Sequence, residues 1–130
     1  MAPRLLLLFN HHLTREQQED AYRSLQIGGI VQPAASIQLM WSQIPADMSS
    51  INEYLQPIRD WLSSTAAGGD YVLIQGDFGA CYLMARFAFE RGLIPLYSTT
   101  RRQAVEERQS NGCVKLVHHF QHQRFRRYGL

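Results

Sequence analysis

Apolar residues in this chain come in short unbroken runs, separated by polar stretches with helical spacing. Arg4 to Phe9 (RLLLLF) is apolar without alternation, the pattern of a central strand buried on both faces. LTREQQEDAYRSL follows, with Thr14 placed as N-cap, Gln17 at the capping-box position, and Leu13, Gln17, Ala21 and Leu25 marking one helix face. Gly28-Gly29 ends that helix, and GIVQ reads as a short second strand stopped by Pro33. AASIQLMWSQI reads as a short helix or a loop. Pro45 then opens PADMSSINEYLQPIRDWLSSTA, where Ile51, Tyr54, Leu55, Ile58, Trp61 and Leu62 recur at helical spacing. Pro57 lies inside this pattern and is expected to kink the helix or split it in two, and Gly68-Gly69 closes it.

DYVLIQ is a third strand, FGACYLMARFAFERG a helix ended by Gly92, and LIPLYST a fourth strand. Asn111-Gly112 is a type I′ hairpin signal inside RQAVEERQSNGCVKLVHHF, with a short helix over RRQAVEERQ as the alternative. The order β-α-β-(α)-α-β-α-β followed by a hairpin predicts an α/β fold. The expected architecture is a Rossmann-like, mainly parallel sheet with helices on both faces and a C-terminal β-hairpin, in one domain over residues 1–130.

Composition adds little to that picture, but charge does. The two cysteines, Cys81 and Cys113, form no zinc spacing and no disulfide framework, and free thiols fit a reducing cytoplasm. The run Leu5 to Phe9 is too short for a signal-peptide core or a membrane span, so no membrane is expected. The net charge of +2 is uneven: residues 1–100 carry six Arg against nine Asp and Glu, whereas residues 101–130 carry six Arg and one Lys against two Glu. Arg-rich charge is either genomic bias or a device for bidentate phosphate contacts, and its C-terminal clustering points to an anionic partner.

In an open parallel sheet, ligands bind beyond the carboxyl ends of the strands. That rule selects Asn10, His11 and His12 after the first strand, and Gln75, Gly76, Asp77, Phe78 and Gly79 after the third. After the fourth it selects Ser98, Thr99, Thr100, Arg101 and Arg102. Gly76 and Gly79 can let backbone approach a ligand or take positive φ, and the turn feeds a helix N-terminus suited to an anion. It is neither a Walker loop nor GxGxxG. Asp77 is either a helix N-cap or an acceptor for ribose or adenine, with Phe78 beside a base. His11 and His12 are either an ordinary exposed loop or a base and phosphate donor. Ser98 to Arg102 is either a solvated strand end or a phosphodiester grip. No further His or carboxylate stands at metal spacing, so neither metal nor cofactor is expected.

Taken together, LLFNHHLTREQQEDAYRSL, IQLMWSQIP, YLQPIRDWL, GDYVLIQGDFGACYLMARFAFERGLIPLYSTTRR and HHFQHQRFRRY resemble a small family of CRISPR-associated Rossmann-fold (CARF-type) proteins. Its members are regarded as stand-alone ring nucleases of type III systems. The resemblance covers about residues 4–128. It implies a cyclic oligoadenylate ligand, cyclic tetra-adenylate first, bound across a homodimer, with a long nucleic acid not the expected partner. It also implies metal-independent opening of the ring by ribose 2′-hydroxyl attack, leaving a 2′,3′-cyclic phosphate and ending the defence signal. On that reading His11 and Arg101 are catalytic. Asn10, His12, Gln75, Gly76, Asp77, Phe78, Gly79, Ser98, Thr99, Thr100 and Arg102 hold the ligand. Two competing expectations are a non-catalytic sensor of the same ligand and a basic RNA-binding accessory protein using the QHQRFRRY tail.

Overall fold

The leucine run near the N-terminus forms the middle layer of the molecule. In the computed structural model, which describes residues 1–130, the elements are β1 (Arg4–Leu8), α1 (Arg15–Ser24), β2 (Gly29–Val31), α2 (Ala35–Ser42), α3 (Gln56–Thr65), β3 (Tyr71–Ile74), α4 (Phe78–Glu90), β4 (Ile94–Arg108) and β5 (Val114–Arg127). One five-stranded sheet has the order β2-β1-β3-β4-β5. Successive residues of a strand point to opposite faces, so an unbroken apolar run feeds two cores. Leu5, Leu7, Leu73, Leu96 and Phe125 pack with Ala21 and Ile27 on the α1 side. Leu6, Leu8, Val72 and Ile74 pack with Trp41, Leu55, Ile58, Leu62 and Met84 on the other, beneath α2, α3 and α4. No helix is long and apolar enough to cross a membrane.

Several local expectations match. Thr14 caps α1 through a complete capping box with Gln17. Pro57 stands in the first turn of α3, where its missing N–H costs nothing, so it splits the periodic segment as one of the two expected outcomes. The half of that segment from Pro45 to Ile51 is not helical.

The expectation of a mainly parallel sheet is overturned, because the sheet is mixed. The parallel pairings are short: three positions for β1–β2, four for β1–β3 and three for β3–β4. The antiparallel β4–β5 ladder runs through thirteen positions, more than those three together. The reason is that the fourth strand does not stop at Thr99. Ser98 to Arg102 lie inside β4, which continues to Arg108 as one arm of a long ribbon.

The hairpin also differs from type I′, which needs positive φ at both central residues. Only Gly112 has it, at 86°. The Gly112 N–H donates to Gln109 O and the Gln109 N–H to Cys113 O, giving a type I turn followed by a left-handed glycine. At the ribbon's other end a β-bulge breaks register: Thr99 pairs with Arg124 but Thr100 pairs with His122, leaving Gln123 unpaired. The extra residue shifts the alternation, so that His122 and Phe125, three apart, both turn inward.

Asp70 fastens the start of β1 to the start of β3. Its carboxylate accepts from the backbone N–H groups of Arg4 and Ala67, both at 2.9 Å, and pairs with the Arg4 guanidinium at 3.1 Å. Burial alone would push this carboxyl up. The Ala67 and Arg4 N–H donors and the Arg4 charge outweigh it and hold it below the usual carboxylate range. Hydrogen bonds to a charged acceptor contribute about 1.5–3 kcal/mol, so Asp70→Asn is expected to lower unfolding free energy by about 2 kcal/mol at pH 7 in urea titrations. A depressed folded pKa contributes stability that is present above 3.8 and is lost as pH falls through the lowered value. The gap between wild type and variant should therefore narrow from pH 7 towards pH 3.

Candidate functional site

Because β1, β3 and β4 are parallel neighbours in the sheet, the carboxyl ends of β1 and β3 lie side by side, next to the stretch of β4 that follows Leu96. Gln75 joins them. Its N–H donates to Leu8 O at 3.0 Å, its carbonyl accepts from Trp41 Nε1 at 3.0 Å, and its Oε1 accepts from the Ser98 N–H at 2.7 Å. Asn10 stands against Gly76: a Cβ added at Gly76 would sit 3.4 Å from Asn10 Nδ2 and 3.1 Å from Trp41 Nε1. The structure thus brings together Asn10, Gln75, Gly76 and Ser98 from the three segments selected in the sequence.

Two grooves open at this rim. One, of about 400 Å³, is lined by Phe9, Asn10, His11, His12, Leu13 and Gln18 with residues of β2 and α2. His11 is exposed there and meets Phe9 edge-on at 5.5 Å. The other, of about 620 Å³, lies along α4 and is lined by Gln75, Gly76, Phe78, Cys81, Tyr82, Arg86, Tyr97 and Tyr128 among others. Phe78 is 94% exposed at its mouth, and Tyr82 and Phe89 continue the aromatic stripe along the helix. Arg86 lies over the Tyr82 ring at 5.7 Å and Arg126 over Tyr97 at 5.0 Å. Tyr128 donates to Ile74 O at 2.5 Å. Burial, reinforced by Cys81, pushes its phenol well above the ordinary range. Burial likewise pushes the Cys81 thiol up, so it remains a thiol and not a nucleophilic thiolate.

The sequence-selected residues divide accordingly. Asn10, His11 and His12 line the first groove, and Gln75, Gly76 and Phe78 the second. Ser98, Thr99, Thr100, Arg101 and Arg102 line neither. The Thr99 hydroxyl bonds to the backbone of Arg124, and Arg101 and Arg102 project from opposite faces of the ribbon. Asp77 is an N-cap: its carboxylate accepts from the Ala80 N–H at 3.0 Å. That places a negative charge where an anion was one expectation. Gly76 and Gly79 do not take positive φ. Gly76 is explained by the Trp41 indole packed against it, while a side chain at Gly79 would meet only ordinary contacts.

Sequence reading missed a buried polar chain. Gln17 Oε1 accepts from the Thr14 N–H, so its amide N–H₂ faces the Ser98 hydroxyl at 3.3 Å. Ser98 Oγ is 2.5 Å from His122 Nδ1, and His122 Nε2 is 2.7 Å from Asp20 Oδ2. With Ser98 accepting from Gln17, its proton goes to Nδ1 and the imidazole proton is held on Nε2, donated to Asp20. Burial alone would raise the Asp20 carboxyl. The Ser24 and His122 hydrogen bonds and the Arg23 charge hold it below the ordinary value. Ser98, His122 and Asp20 are all buried and line neither groove, so the arrangement is a fastener and not an exposed nucleophile. Nothing in the sequence announced it, because only the bulge at Gln123 turns His122 inward. No group of three or more His, Cys, Asp or Glu side chains is placed to hold a metal ion.

Residues 3–126 match the Uncharacterized protein MJ1673 family, and the chain belongs to it. The chain is 44% identical over 126 residues to "Uncharacterized protein MJ1673" of Methanocaldococcus jannaschii, covering 97% of both chains. No solved structure matches.

Gly76→Ala would drive a methyl group to 3.1 Å from Trp41 Nε1 and strain its bond to Gln75. Overpacking of this kind costs about 1–3 kcal/mol, and the loss should appear as a lower urea midpoint with altered native tryptophan emission. Gly79→Ala, whose added methyl meets only ordinary contacts, should neither lower the midpoint nor alter the emission.

Proposed function

We propose that the protein binds and linearises a cyclic oligoadenylate, cyclic tetra-adenylate in the first place, at the carboxyl ends of β1 and β3 beside the middle of β4, and so ends type III CRISPR signalling. The meeting of Asn10, Gln75 and Gly76 on one polar rim, between an exposed histidine pair and an aromatic groove, carries the reading. The family resemblance in the same loops supports it. A ring with two-fold symmetry is matched by a homodimer offering the same loops twice.

In this reaction the nucleophile belongs to the substrate. The ribose 2′-oxygen attacks the adjacent phosphorus, the 5′-oxygen leaves, and a 2′,3′-cyclic phosphate forms. The protein must hold the three atoms in line, a positioning effect able to lower the barrier by several kcal/mol. His11, exposed at the groove mouth, serves as the base for the 2′-hydroxyl or as a donor to the phosphoryl oxygen. Phe78 and Tyr82 offer faces for adenine, and Asn10 and Gln75 offer amides for base or ribose. Arg101 supplies positive charge from the ribbon.

A second reading, binding without cleavage, is favoured by one observation: Arg101 lies on the ribbon and lines neither groove, so one chain does not close His11 and Arg101 around a common phosphate. The RNA-binding reading is weakened, because Phe125 is buried and Tyr128 half-buried, which commits those tail aromatics to packing.

Incubation of the protein with cyclic tetra-adenylate in EDTA should yield linear di-adenylate ending in a cyclic phosphate. His11→Ala and Arg101→Ala should each slow turnover at least about tenfold, which is about 1.4 kcal/mol in the barrier. Intact ring with tight binding would establish the sensor instead. Retention of single-stranded RNA without ring binding would overturn both.

A further inference from the structure

Beyond Thr100 the β4–β5 ribbon leaves the body of the sheet, since β3 pairs with β4 only as far as Leu96. The molecule therefore presents three free strand edges, and they are protected very differently. The β2 edge is three residues long and is followed closely by Pro33. The β4 edge carries Arg101, Arg102, Glu106, Glu107 and Arg108, a density of charge that discourages pairing. The β5 edge from Val114 to Gln121 has a single formal charge, Lys115, and neither proline nor bulge. Val114, Leu116 and Phe120 on it are 57%, 58% and 69% exposed. A lone two-stranded ribbon is marginal in water, so this edge and its apolar face lack a cover.

The turn fixes which backbone groups face outward. Gln109 and Cys113 form a hydrogen-bonded pair, and such pairs alternate along an antiparallel ladder. Cys113, Lys115, Val117, His119 and Gln121 consequently bond to β4, while Val114, Leu116, His118 and Phe120 direct N–H and C=O away from it. Those four positions are symmetric about Val117. We infer that a second copy of this chain covers the edge by antiparallel β5–β5 pairing, with the two-fold axis through Val117. In that register Val114 faces Phe120 of the other copy and Leu116 faces its His118, so all four outward positions on each strand find partners. The same register gathers Val114, Leu116 and Phe120 of both copies on one face of a continuous four-stranded ribbon, where cross-strand apolar pairs stabilise it. No other two-fold register satisfies all four positions, and this self-complementarity about Val117 assigns the edge to a second copy.

The test needs no nucleotide, so it is independent of any catalytic reading. Light scattering at tens of micromolar should give twice the chain mass. Val117→Cys in a Cys113→Ser background should form a disulfide-linked dimer under mild oxidation, read on a non-reducing gel. Val105→Cys, directly across the ribbon from Val117 but on the β4 edge, should stay monomeric on that gel. Leu116→Lys and His118→Pro, at positions that give β4 no ladder bond, should each halve the mass with unchanged circular dichroism. A monomeric wild type, or a dimer that survives both substitutions and fails to cross-link through Val117→Cys, overturns the proposal.

Discussion

The His122 imidazole, held between Ser98 and Asp20, is the contact on which the rest of the arrangement depends. It joins three elements in one side-chain chain: α1 through Asp20, β4 through Ser98 and β5 through itself. Each member has its hydrogen-bonding capacity met. Gln17 serves Ser98, Ser24 and Arg23 serve Asp20, and no buried side-chain polar atom is left without a partner. Such a network gains little net energy while intact. Losing one member is expensive, because each remaining buried group then bears its full desolvation cost, about 1–3 kcal/mol. It therefore acts as a fixed selector of register. A slip of β5 by one residue would replace the imidazole with Gln121 or Gln123 and leave the Asp20 carboxylate buried without its donor.

That selection sets the candidate site. Ser98 cannot shift while His122 holds its hydroxyl, and its backbone N–H holds Gln75 Oε1. Gln75 in turn fixes the carboxyl end of β3 against Leu8 of β1 and against Trp41 of α2. A chain of bonds thus runs from α1 through both ribbon strands to the polar rim. Ser98, selected in the sequence as a ligand donor, instead faces the interior and positions the residues that can meet a ligand.

The legible parts of the fold were those written in local chemistry. The leucine run, the Thr14–Gln17 capping box, Pro57 and Asn111-Gly112 each act within a few residues, and each stands where its spacing placed it. Asp77 as a cap was legible as one of two readings. The hairpin was expected, but two things could not be read: that its first arm is β4 itself, which makes the sheet mixed, and the inward turn of His122, which the bulge decides. A single extra residue reverses alternation, and Gln123 carries no mark distinguishing it from its neighbours. Gly76 was legible as a glycine required by close approach, but the approaching group is the Trp41 indole, thirty-five positions away in the chain and so invisible to spacing.

Electrostatics then constrain how an anion could be held at the rim. The N-terminus of α4, the nearest source of free amides, already carries the Asp77 carboxylate, which occupies the Ala80 N–H and repels a second negative group. The groove along α4 contains one cation, Arg86, and the groove at His11 contains no Arg or Lys. An excess of positive charge exists only after residue 100, where six Arg and one Lys face two Glu. Most of those cations stand on the ribbon and its base, outside both grooves of their own chain. A phosphate-rich ligand of the kind proposed would consequently need the cations of the ribbon strands, either by reaching towards those of its own chain or by meeting those of a second copy.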